Sequence, residues 1–204
     1  PFSDPSLKGA EGEILLNILL TMILFFLAMI PGIVPSIIAS YSFVGEKLNR
    51  SMEPLLATPT TDEELLLGKS LAAFIPTMVG TYLAFAVNII AIDIILFPIT
   101  GRIYAPNLSW LISMFLLAPA VCVTSIEANV LVSSRMRDVR AAQQVGGLIV
   151  MPLMILFLGP ISNLFQLTPI NLLLISGFFS LLAFALFQAA RSLFQREKIL
   201  TQWK

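Results

Sequence analysis

The feature that most constrains this chain is a series of long apolar runs separated by short charged stretches, lying within residues 14–43, 71–97, 110–132, 141–158 and 171–190. A helix needs roughly 20 mostly apolar residues to cross about 30 Å of hydrocarbon, and each run is close to that length. A lone segment in lipid must satisfy its backbone hydrogen bonds internally, and the alternating pattern of a barrel strand is absent here. The predicted fold is therefore all-α: a polytopic membrane helix bundle with five transmembrane helices. Composition agrees, since only 12% of residues are charged and 57% are hydrophobic, whereas a soluble domain carries about a quarter charged.

The same composition removes several function classes. Twelve Lys and Arg balance twelve Asp and Glu, so no basic field exists to hold nucleic acid. With no histidine and the single Cys122, Ser-His and Cys-His pairs, the common zinc sites and an internal disulfide are all excluded. The reading assigns the chain no catalytic residue, no metal ligand and no cofactor of its own.

Orientation follows from Lys and Arg in the short connections, which stay on the cytoplasmic side. One side holds Lys47, Arg50, Lys69, Arg135, Arg137, Arg140, Arg191, Arg196, Lys198 and Lys204, and the other holds Lys8 and Arg102, ten against two of the twelve cations. The N-terminus is expected outside and the C-terminus inside, which requires an odd number of spans. Residues 1–13 read as the end of an outer segment and 14–204 as the membrane domain. An exported N-terminus without a signal peptide points to an earlier span ahead of this chain. Pro31, Pro35, Pro76, Pro119 and Pro152 fall inside the runs, where each removes a backbone donor and favours a kink.

The loop at 44–69 is more than a turn. Ser51 fits as the cap of a short helix, with Glu53 near its positive end, Pro54 in the first turn where a missing donor costs little, and Pro59 as the stop. Thr60 with Glu63, and Thr61 with Glu64, both have capping-box spacing, so a second helix is predicted to start there and run through Gly68 and Lys69 into the second span. The first of these helices would lie across the membrane surface with Leu55 and Leu56 available to a partner or to the interface. A solvated connector is the plainer alternative.

At this loop, GEKLNRSMEPLLATPTTDEELLLGKSLA resembles the corresponding segment of permease subunits of type-two ABC exporters, particularly the sodium- and drug-export-like branch. A second stretch, VSSRMRDVRAAQQVGGLIVMPL at 132–153, is similar to that family's cytoplasmic turn and following helix, and the two occur in the expected order. The family normally has six spans per subunit, so the resemblance implies that the first is absent here. It also implies a permease that pairs with a second permease, identical or related, and docks on cytoplasmic ABC ATPase subunits carrying ATP and Mg. Ser51, Glu53, Pro54, Leu55, Leu56 and Pro59 would form the coupling helix that transmits nucleotide-driven closure. Family members often carry a basic residue after the capping Ser or Thr, where this chain has Asp62. A multi-pass protein of a prokaryotic cell membrane is the expected setting.

The chain itself lacks a phosphate cradle: Gly68-Lys69-Ser70 has neither the preceding glycine nor the strand that a P-loop needs. ATP hydrolysis would have to come from another chain. An intramembrane enzyme is a competing reading, as is a membrane scaffold that recruits a cytoplasmic partner. The enzyme reading lacks the clustered acids and histidine such chemistry uses.

Inside the spans, Glu127 stands out, because an ionised carboxylate in a span needs a partner or a cavity. It is the candidate intramembrane polar site, lining a cation path or pairing with an arginine of the following turn, unless it is simply hydrated near the border. Asp93 is expected to snorkel to the outer headgroups beside Arg102. Asn88, Asn129, Gln143 and Gln144 are expected to bond between helices, and Trp110 and Trp203 to mark opposite membrane borders.

Overall fold

The computed structural model describes residues 10–42, 61–135, 138–148, 151–152, 154–155 and 168–193. These form α1 (Ala10–Ser40), α2 (Asp62–Thr100), α3 (Leu108–Ile112), α4 (Ala118–Arg135), α5 (Val139–Gly147) and α6 (Pro169–Leu193). Among the described residues there is no strand. Four stretches are long and apolar enough to cross a membrane: Ile14–Ser40, Glu63–Pro98, Leu108–Ser133 and Pro169–Arg191. They correspond to the first, second, third and fifth predicted runs. The fourth run is described only in part, as α5 and the helical residues 151–152 and 154–155.

Four helix starts have a local chemical cause. Thr61 caps α2: its Oγ1 accepts the Glu64 N–H at 3.2 Å, while Glu64 Oε2 accepts the Thr61 N–H at 2.8 Å. Of the two capping boxes the sequence offers, the chain uses the second. Such a cap contributes about 1 kcal/mol. Asn107 Oδ1 accepts the Trp110 N–H to start α3, Asp138 Oδ1 accepts the Arg140 N–H at α5, and Thr168 Oγ1 accepts the Asn171 N–H ahead of Pro169 at α6. At the other end of α2, Gly101 adopts a left-handed φ of 67° and returns its N–H to the Phe97 carbonyl, a conformation that costs glycine little.

The helices run through Pro31, Pro35, Pro76 and Pro98. Pro119 is handled differently. Residues Ser113–Leu117, just before it, form a π turn, and the Ala118 N–H reaches back to the Ser113 carbonyl. One extra residue in the turn shifts the register where the proline offers no donor.

Packing gives the directions. Leu20, Leu24 and Leu27 of α1 meet Phe85 and Ile92 of α2, and Ala39 shares a cluster with Leu66 and Ala73, so α1 and α2 are antiparallel. Ser36 pairs with Ser125 and Ser40 with Asn129, which makes α1 and α4 parallel. Leu172, Ile175 and Phe179 lie against Leu117, Ala120 and Val121, while Ala190 lies near Ile126 and Val130, so α6 is parallel to α4 as well. The Leu108–Ser133 stretch is the centre of the bundle, with 61% of its most apolar window buried against 17–33% for the other three. Its sequence accordingly carries small and polar residues such as Ala118, Ala120, Thr124 and Ser125, which let neighbouring backbones approach.

Trp110 stands at the start of the Leu108–Ser133 stretch, near the border where it is expected, but it faces protein. Trp110 is only 3% exposed and packs edge-on against Phe85, with ring centroids 6.2 Å apart. It is a core residue at that end of the bundle; Trp203 lies outside the described residues.

Candidate functional site

A polar seam runs down the inner faces of α1, α2 and α4. Four-residue spacing, about one helical turn, stacks Ser36 above Ser40 on α1 and Ser125, Asn129 and Ser133 on α4. Ser36 Oγ and Ser125 Oγ are 2.8 Å apart, and Ser125 also donates to the Gly32 carbonyl. One turn further on, Asn129 Oδ1 accepts from Ser40 Oγ at 2.8 Å and from Ser133 Oγ at 3.2 Å. Thr124, on a neighbouring face, donates to the Phe179 carbonyl of α6 at 3.0 Å. All these side chains are buried.

Glu127 projects from α4 toward α2, where Ser70 Oγ donates to its Oε1 at 3.0 Å. The residue is 2% exposed, and its Oε2 has no hydrogen-bond partner; neither has Asn129 Nδ2. Its depth follows from α2. Between Lys69 and Asp93, 24 residues apart, no side chain of the helix is charged at neutral pH, and at 1.5 Å per residue this charge-free stretch spans about 36 Å. Ser70 and Glu127 therefore lie at one edge of the hydrocarbon layer rather than its middle. Protein, not water, encloses the carboxyl group there.

The same end of the bundle holds two more contacts to the start of α2. Lys69, largely buried, donates to the Ser42 carbonyl at 3.5 Å. Glu63 forms an ion pair with Arg191 in the last turn of α6. Both partners are half exposed, so the pair adds at most about 1 kcal/mol. Its geometric meaning is larger, since it sets the beginning of α2 beside the end of α6. α2 has 39 residues, about 58 Å at 1.5 Å per residue, so it outruns the hydrocarbon and projects beyond it.

The coupling residues Ser51, Glu53, Pro54, Leu55, Leu56 and Pro59 lie outside the described residues, as do Arg137 and most of the 44–69 loop. Glu127 is brought into contact with Ser70, not with Arg140, which is exposed. Asp93 departs from expectation: its Oδ1 accepts the backbone N–H groups of Tyr104 and Ala105, each at 3.2 Å. Those two donors, left over where the chain turns after α2, hold the carboxyl group in place. Asn88 bonds within its own helix, to the Ala84 carbonyl, whereas Asn129 makes the expected contact between helices. The serines of the seam carry no functional signature in the sequence beyond their four-residue spacing on one face.

A family model described as ABC-2 family transporter protein matches residues 2–198. No curated protein and no solved structure matches the chain. The family match takes in every described helix, and with it the helical bundle, the capped α2 and the buried seam acquire a common identity: the chain belongs to the ABC-2 transporter family and is a permease of that type.

Proposed function

We propose that this permease is the transmembrane subunit of an ATP-driven exporter, with hydrolysis carried out by a separate nucleotide-binding subunit that holds ATP and Mg. The observation that carries this reading is the position of α2. It starts at the Thr61 capping box, directly after the 51–59 segment, and runs unbroken for 39 residues. At its start it is tied to α4 through Ser70 and Glu127 and to α6 through Glu63 and Arg191. A push on residues 51–59 by an ATPase would therefore reach the bundle core through one rigid helix. A second permease, identical or related, would complete the path.

Five passages fit this arrangement. Since α4 and α6 are parallel, the chain between Arg135 and Pro169 has to return to the opposite end of the bundle, and the partly described 139–155 stretch is the apolar segment available for it. With the cation-rich connections inside, the first residues lie outside, as expected for a multi-pass subunit of a prokaryotic cell membrane.

The direct test is biochemical. The purified chain should neither bind nor hydrolyse ATP alone, and should co-purify with a soluble subunit carrying a Walker A loop and turn over ATP with it. Hydrolysis that survives removal of every soluble subunit would contradict the proposal. Orientation has its own test in a Cys122→Ser background. Cysteines placed at Asn107 and Gln202 should react with a membrane-impermeant reagent from opposite sides, and labelling of both from one side would sink the five-passage arrangement.

A further inference from the structure

At the end of the bundle away from Lys69 and Arg191, Asn17, Arg102, Ile103 and Tyr104 line a cleft of about 190 Å³ between α1 and the α2–α3 connection. Its shape has identifiable causes. Gly101 ends α2 in a left-handed conformation, and Asp93 then takes the N–H groups of Tyr104 and Ala105. Together these fold the connection back over the helix end and hold Arg102 and Tyr104 opposite Asn17.

Depth and surroundings narrow what such a cleft would take. Asp93 closes the charge-free stretch of α2, so the cleft lies where hydrocarbon gives way to headgroups. Ile103 of its lining is apolar and exposed, and so are the chain neighbours of the lining residues, Ile14, Ile18, Leu19, Phe97 and Leu108, each at least 42% accessible. A guanidinium presents a planar fork of donors that matches phosphate oxygens, and the Asn17 amide and Tyr104 hydroxyl can add to it. A soluble anion would use these polar groups and leave the apolar rim idle. A phospholipid uses both.

We propose that this cleft binds the phosphate group of a phospholipid in the leaflet opposite residues 51–59, with Arg102 as the principal ligand, Asn17 and Tyr104 as supporting donors, and the acyl chains along Ile18 and Leu19. The inference is independent of the exporter reading, because it needs neither an ATPase nor a substrate. Arg102 also stands just past the C-terminal end of α2, where any cation is favourable, so the experiment has to separate the fork from the charge.

Native mass spectrometry of the purified chain in detergent supplies the measurement, with three probes: phosphatidylglycerol, diacylglycerol of the same acyl chains, and inorganic phosphate. Phosphatidylglycerol should be retained and diacylglycerol should not, and millimolar inorganic phosphate should fail to displace the lipid. Arg102→Gln should weaken retention about tenfold. Arg102→Lys, which keeps the charge and loses the fork, should fall between the two, and each variant's melting temperature in lipid-free detergent reports whether the fold survives. Equal retention of diacylglycerol, or unchanged retention in a folded Arg102→Gln, would overturn the proposal. So would displacement by inorganic phosphate, which would mark a soluble-anion site.

Discussion

Glu127→Lys should destabilise the bundle by about 3 kcal/mol or more, while Glu127→Gln should change it by no more than about 1 kcal/mol. The reason lies in what faces the side chain. Ser70 Oγ donates to Glu127 Oε1, and the glutamine carbonyl can accept the same bond. An ammonium group cannot accept it, and even with the Ser70 hydroxyl turned to accept from the lysine, one neutral oxygen would leave a cation largely unpaired at a position 2% exposed. Lys69 immediately precedes Ser70 on α2 and is itself largely buried, adding like charge nearby. Thermal unfolding of the purified chain and its two variants in one detergent checks the difference. A Glu127→Lys protein that melts like the parent would mean that the site is hydrated, and that Glu127 is a surface residue at the membrane border.

The contrast also bears on transport. A carboxyl group with one bonded and one unpartnered oxygen is an incompletely satisfied buried group, which native proteins seldom keep. Here it joins the start of α2 to the central helix. If its role were only to hold α2, Glu127→Gln should behave as the parent in every assay, with or without a bound ATPase.

Much of this architecture was legible in the residues because the signals were local. The apolar runs at 71–97 and 171–190 mark helix lengths directly, as the spans Glu63–Pro98 and Pro169–Arg191 show. Thr61 and Glu64 announced the start of α2 because a capping box is a contact over three residues. The caps at Asn107, Asp138 and Thr168 are equally local, but each lies in a short polar stretch that also reads as a plain turn.

What was not legible depends on neighbours. Trp110 has the composition of an interface anchor, yet Phe85, 25 residues earlier in the chain, claims its ring. Asp93 looks like a residue reaching for headgroups until the turn after Gly101 delivers two amide donors to it. Glu127 could be flagged as costly from its span alone, but its partner Ser70 lies 57 residues away and was identifiable only once α2 and α4 were side by side. The Ser36–Ser40 and Ser125–Asn129–Ser133 ladders fall between these cases: the spacing is visible, and the pairing of one ladder with the other is not.

Leu55→Asp should uncouple the permease from its ATPase without unfolding the bundle. The expectation rests on the proposed coupling helix at residues 51–59, where Leu55 and Leu56 are the apolar anchors, Glu53 a polar contact in the first turn, and Pro59 the stop that sets the length. Interfaces concentrate their energy in a few buried anchors, and truncating one commonly costs about 2 kcal/mol or more, roughly thirtyfold in affinity. A carboxylate in place of the leucine adds the cost of desolvating an unpaired charge. Because this segment precedes the Thr61 cap, the change leaves α2 and its ties to Glu127 and Arg191 intact. Leu67→Asp makes the matched comparison. Leu67 is on α2, 45% exposed, in the turn just before Lys69, so its substitution should weaken co-purification much less. Both variants, co-expressed with the ATPase, would be scored for complex recovery and for ATP turnover, with melting temperature as the check on folding. If Leu55→Asp is recovered and turns over like the parent, the 51–59 segment is a solvated connector, and force from nucleotide closure has to enter the bundle at some place other than the start of α2.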